Sequence, residues 1–133
     1  MSTSILDQFW NQRYLFFSKF DEGIKIDEDS WGTTTPEAVA EYIASKIRFE
    51  TILDGYCGIG SHSIKFANTC NHVISNDSNP IRLKFMLDNA KVYNVENIES
   101  RNVNFLNIHG LTVDGVFLVP PLKSSTNSDR RKL

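Results

Sequence analysis

Long apolar runs are missing from this 133-residue sequence, and none of its hydrophobic stretches approaches the roughly 20 residues that cross a bilayer. A membrane-spanning role is therefore not expected. Cysteine is scarce: Cys57 and Cys70 stand in a chain with no signal-peptide pattern, which points to reduced thiols in an intracellular compartment, nucleus and/or cytoplasm. There is no excess of positive charge either. Fourteen Lys and Arg face sixteen Asp and Glu for a net charge of -2, so no global field attracts nucleic acid and any RNA contact must be local. His62, His72 and His109 have no ligand spacing with each other or with the cysteines, so no metal site is expected. No internal repeat is visible, and the length with 41% hydrophobic residues allows one core and no second domain.

Residues 5–20 place Leu6, Phe9, Trp10, Arg13 and Phe17 at helical spacing behind possible caps at Thr3 and Ser4, which predicts an aromatic-rich helix. Most of its aromatics should pack, with Phe17 the expected exception. Residues 21–35 lack a sustained period and read as a loop with short structure of its own. A second helix is predicted from Thr35 as N-cap and Pro36 in the first turn, with Val39, Ile43 and Ile47 on one face. From residue 51 the pattern alternates: TILD, SIKFAN, HVIS, PIRLKFMLDNAKVYN, a weaker strand near 99–105, then GVFLV at 115–119. This order predicts an α/β fold with about four parallel strands and crossover helices. A helical extension (1–35) would precede a Rossmann-like core (36–121), and a polar tail (122–133) without apolar anchors reads as disordered. Four strands fall short of a complete sheet of this type, so the fourth is expected to be an exposed edge open to self-association or a protein partner.

The chemistry concentrates in Asp54-Gly55-Tyr56-Cys57-Gly58-Ile59-Gly60, a strand end entering a glycine loop that opens a helix. Glycines let a nucleoside approach the backbone, and the helix start offers unpaired N–H groups. The next strand ends at Asp77, where an acid can hold both ribose hydroxyls. NAD sites use an acid there too, but Asp54 would meet a pyrophosphate badly and suits the cationic methionine end of S-adenosylmethionine (AdoMet). Each acid also has a plainer reading: Asp54 as a turn former before glycine, Asp77 as a cap ahead of Ser78-Asn79-Pro80. Likewise Pro120-Pro121 could simply end a strand.

Phe9-Trp10, Arg13, Phe17-Ser18, Phe20-Asp21, Gly23-Ile24, Asp27, Trp31 and Thr35-Pro36-Glu37 resemble the region that precedes the core of trimethylguanosine synthases. That family's loop, Asp-x-Phe-Cys-Gly-x-Gly-Gly-Asn-Thr-Ile-Gln-Phe-Ala, is similar to residues 54–67, and Asn89-Ala90-Lys91-Val92-Tyr93 matches as well. The resemblance implies a Rossmann-like AdoMet-dependent methyltransferase. It would convert 7-methylguanosine caps of small nuclear and nucleolar RNAs to the 2,2,7-trimethyl form by methylating the exocyclic N2. It implies Phe17 and Thr35 beside the cofactor, Asp54 at its methionine end, Gly58, Gly60 and Ser63 in the loop that holds it, Asp77 at the ribose and Asn104 near the adenine. Pro120 and Pro121 would position the acceptor amine. The family's Ser-Pro-Pro-Trp-Gly-Gly is here Val119-Pro120-Pro121-Leu122-Lys123-Ser124, without the tryptophan that would stack on the cap base, and Gln8 replaces a lysine that often helps hold the cap triphosphate. The expectation is weak or absent transfer by this chain, the alternative being a non-catalytic module that retains AdoMet binding.

Overall fold

Residues 3–120 are described by a computed structural model. Four short strands, Thr51–Asp54 (β1), His72–Asn76 (β2), Ile98–Arg101 (β3) and Gly115–Phe117 (β4), form one parallel sheet in the order β3-β2-β1-β4. The central strand β1 lies between β2 and β4, with Asp54 opposite Ser75 on one side and Phe117 on the other. Its Ile52 and Leu53 are both buried although they point to opposite faces, which is why it reads as a continuous apolar run rather than an alternating one.

Helices Ser61–Thr69 (α4) and Pro80–Val92 (α5) make the crossovers from β1 to β2 and from β2 to β3. Asn79 caps α5 by accepting from the N–H groups of Ile81 and Arg82 at 3.0 and 3.2 Å, and Pro80 fills the first helical position, whose N–H would be unpaired anyway. The link from β3 to β4 has a 3-10 turn at Phe105–Asn107 and no α-helix. Helix Glu37–Ser45 (α3) packs with α4 around a core of Ala44, Ile52, Phe66, Ala67, Cys70 and Val73. Both cysteines are free and buried.

The N-terminal region departs from the expected single helix. It forms Thr3–Asn11 (α1), Arg13–Phe16 (α2) and a 3-10 turn at Phe20–Glu22, with Phe17 extended at φ -143° and ψ 111°. Breaking the helix at Phe17 brings Phe16 and Phe17 into one core. The extended residue achieves it: Phe16, Phe17, Phe20, Ile24 and Ile59 cluster with Phe9, Trp31 and, from α5 and its C-cap, Phe85, Val92 and Tyr93. Phe17, the expected exception, is only 2% exposed, while Trp10 and Tyr14 lie outside and flank Arg13, whose guanidinium sits 4.3 and 4.5 Å from their ring centres. Residues 21–35 have the short structure anticipated, including a further 3-10 turn at Asp29–Gly32.

Two details of α3 also differ. Pro36, at ψ 141°, is the N-cap, so Thr35 lies one position outside the helix and no side chain caps it. The buried face is Ala40 and Ala44, with Ile43 and Ile47 at its margin and Val39 facing solvent, because small side chains let α3 approach α4 closely. The last two strands are shorter than the apolar patterns suggest.

Candidate functional site

In an open parallel sheet ligands settle beyond the carboxyl ends of the strands where successive connections diverge, and here that point lies between β1 and β4. A cavity of about 450 Å³ opens there. Its wall is drawn from every neighbouring element: Tyr56, Cys57 and Gly58 after β1, Ser61 and His62 on α4, Asp77 and Ser78 after β2, and Val119 and Pro120 after β4. The N-terminal segment supplies the remaining side through Ser30 and Gly32–Thr35.

The loop of 54–60 is shaped by three different demands. Gly58 has φ +54°, and a side chain there would meet nothing within 4 Å because it would project into open space, so the bare backbone leaves room against the cavity. Gly60, at φ +105°, is required by packing, since a Cβ would come within 2.9 Å of Met86. Asn76 fixes the loop from below: its amide donates to the carbonyls of Gly55 and Val103 at 3.1 and 3.0 Å and accepts from Val103 N–H at 3.2 Å.

Asp77 meets this loop directly. One carboxylate oxygen accepts from Gly58 N–H at 2.9 Å and the other from Asn79 N–H at 2.8 Å. Each oxygen keeps a further lone pair, which is what a ribose diol would use.

Asp54 sits behind the wall, 2% exposed. Its carboxylate accepts from Ser63 Oγ at 2.7 Å, and Ser63 Oγ lies 2.6 Å from Ser75 Oγ. Burial raises its carboxyl to about 7, against the opposing effect of the Ser63 hydroxyl, and the charge of Asp77 adds to the rise. Burial likewise pushes the Cys57 thiol up, with Asp54 and Asp77 reinforcing it, so it is no nucleophile at neutral pH.

Of the residues singled out from sequence, Thr35, Gly58, Asp77 and Pro120 therefore line one cavity, whereas Asp54, Gly60 and Ser63 are buried and do not line it. Phe17 is packed in the N-terminal aromatic cluster. Asn104 accepts from Leu106 N–H at 3.0 Å as the cap of a 3-10 turn, and Pro121 lies outside the described residues, as do Leu122 and the polar tail. Reading the sequence missed Tyr56, His62, Ser78, Asn79 and Arg82. Arg82 pairs with Asp27 at 3.2 Å and with Asp29 at 3.6 Å, tying the N-terminal segment to the first turn of α5 beside the cavity. Its one sequence signal was the pair of acids flanking Glu28. Among the described residues no group of three His, Cys, Asp or Glu could hold a metal ion, and no helix is long and apolar enough to cross a membrane.

A family model described as RNA cap guanine-N2 methyltransferase matches residues 49–126, more than half of the chain. The chain belongs to that family. It is 41% identical over 105 residues to the trimethylguanosine synthase of Schizosaccharomyces pombe, covering 76% of this chain and 42% of that protein. The Saccharomyces cerevisiae trimethylguanosine synthase is 31% identical over 97 residues, covering 68% and 31%. The chain thus spans less than half the length of these relatives. Among solved structures, a dimethyladenosine transferase from Plasmodium falciparum superposes with a TM-score of 0.58 at 18% identity, covering 75% of this chain and 37% of that one. A tRNA methyltransferase from M. jannaschii gives 0.57 at 17%, covering 76% and 31%. The fold is the Rossmann-like methyltransferase fold, with four parallel strands and N-terminal helices.

Proposed function

We propose that this chain binds AdoMet in the cavity between the glycine loop and Asp77, as the cofactor half of a trimethylguanosine synthase type cap methyltransferase. The observation that carries the reading is the convergence on one cavity of Gly58, Asp77, Thr35 and Pro120, which sequence reasoning had placed at a cofactor and its acceptor. The residues fit the cofactor: the cavity lies within the range of ligand pockets, a Cβ-free position faces it, and an acid with spare lone pairs stands where a ribose would lie.

When bound, AdoMet supplies an electrophilic methyl group. Asp77 would hold the ribose diol while its own bonds to Gly58 and Asn79 fix the carboxylate's direction. The unpaired N–H groups at the start of α4, after Gly60, would receive the methionine carboxylate. Thr35 and its neighbours close one side against water, held by the ion pairs of Arg82. Asp54 would act through Ser63 and the loop rather than by contact, and a cationic methionine end bound nearby would favour its ionised form. Pro120, with Pro121 beyond it, would shape the acceptor side. The acceptor in this reading is the N2 of a 7-methylguanosine cap on a small RNA, methylated in the nucleus or cytoplasm.

A second reading is cofactor binding without transfer. It is favoured by Val119 and Leu122, which offer neither a side-chain acceptor nor a ring for the cap base, because methyl transfer to an amine depends on holding that nitrogen in line.

Titration calorimetry with S-adenosylhomocysteine tests the site shared by both readings. Asp77→Ala should weaken binding by about 1–3 kcal/mol, the cost of unmade hydrogen bonds. Equal affinity in the variant would put the ribose elsewhere.

A further inference from the structure

His62 is a polar side chain of the cavity wall that the cofactor reading leaves unused. It stands in the first turn of α4, its ring 4.6 Å from Phe117 of β4 and 6.4 Å from Phe66. These contacts seat the imidazole beside the end of β4, where Val119 and Pro120 line the same cavity. Burial disfavours its charged form, so one ring nitrogen donates and the other accepts. Among the described residues neither nitrogen is hydrogen-bonded. Other polar groups on this wall already serve the protein: Asp77 receives two backbone N–H groups, Asn79 caps α5, and Arg82 pairs with Asp27.

We propose that His62 recognises the methyl acceptor, its free nitrogen accepting a hydrogen bond from the exocyclic amino group of a guanine base. The inference rests on the reading of this cavity as a guanine-N2 site. Geometry favours it because the ring is placed at the β4 end of the cavity, away from Asp77 and the ribose, and is held by two phenylalanines. A neutral imidazole there offers an acceptor to an amine without placing a second cation against a sulfonium. It also puts part of acceptor recognition on α4, at a position the strand-end prolines do not supply.

Guanosine and inosine 5′-triphosphates differ only in the N2 amino group, so their affinities isolate this contact. With S-adenosylhomocysteine saturating, the chain should bind guanosine triphosphate about three- to tenfold more tightly than inosine triphosphate, the worth of one net hydrogen bond. His62→Phe keeps a ring against Phe117 but no acceptor, and the ratio should fall to about 1. His62→Asn restores an acceptor and should recover part of it, with circular dichroism showing that both variants fold. A ratio near 1 in the unmodified chain, or a preference that survives in His62→Phe, would overturn the assignment. Binding of S-adenosylhomocysteine with no binding of either nucleotide would overturn this inference alone; failure to bind S-adenosylhomocysteine would remove the cofactor reading as well.

Discussion

Asp54 is the residue whose chemistry changes most on folding. In the unfolded chain it ionises near 3.8, whereas the folded chain retains its proton up to about 7 because burial outweighs the Ser63 hydroxyl. Between those values the folded state binds the extra proton, so the contribution of Asp54 to stability falls as pH rises from about 4 to about 7 and then levels off. The linkage amounts to roughly 4 kcal/mol at most, at 1.36 kcal/mol per unit. Asp54→Asn removes the titrating group, so the difference between the variant's and the parent's denaturation midpoints should grow in the variant's favour across that window. A difference independent of pH would mean that Asp54 is ionised in the folded chain. The carboxylate's role was only half legible in the sequence. Its strand-end position and its place before a glycine marked it for the site, but its burial depends on Ser63 and Ser75, which the fold brings together from α4 and β2.

At the scale of elements, the strands and crossover helices of the core were readable because apolar runs, caps and glycines agreed with one another, as at Asn79-Pro80 opening α5. The N-terminal region was not, since helical spacing of Phe9, Arg13 and Phe17 also fits a broken chain whose aromatics bury against another element. Tertiary bonds hold the segment that follows the break, those of Asn89 among them. Fully buried on α5, Asn89 donates to the carbonyls of Lys25 and Ile59 at 3.0 and 2.9 Å and accepts from Lys25 N–H at 2.7 Å, joining the N-terminal segment, the glycine loop and α5 through one amide. Asn89→Ala leaves three backbone groups without that partner and should destabilise the chain by about 3 kcal/mol in urea unfolding. Asn89→Ala should also weaken S-adenosylhomocysteine binding, because the glycine loop at Ile59 loses its tie to α5 and to Lys25. A loss below about 1 kcal/mol would show that water replaces the amide. A second tie, from Ser18 and Lys19 to Glu37 and Tyr93, lies near the first. Burial and the bond to Glu37 push the Tyr93 hydroxyl up to about 12, so it stays a donor at all ordinary pH.

For the molecule as a whole, the sheet edge and the cavity are neighbours. Among the described residues β4 pairs only with β1, and Val116, Leu118 and Val119 are each about half exposed. Unpaired strand groups beside apolar side chains recruit other strands. The chain should therefore self-associate at tens of micromolar in sedimentation velocity, and Val116→Lys should shift it toward monomer; a strictly monomeric parent would show the edge to be covered. The sequence announced four strands and a glycine loop, but not that the N-terminal segment would wall the cavity, since that wall rests on ion pairs from Arg82 to acids far away in the chain. The central claim is that a nucleoside cofactor occupies this cavity. Amide chemical shifts recorded while S-adenosylhomocysteine is added test it most directly. The account predicts saturable changes concentrated at Thr33–Thr35, Tyr56–Ser61 and Asp77–Asn79, with β3 little affected. Changes absent from the glycine loop, or centred on another face of the sheet, would contradict it.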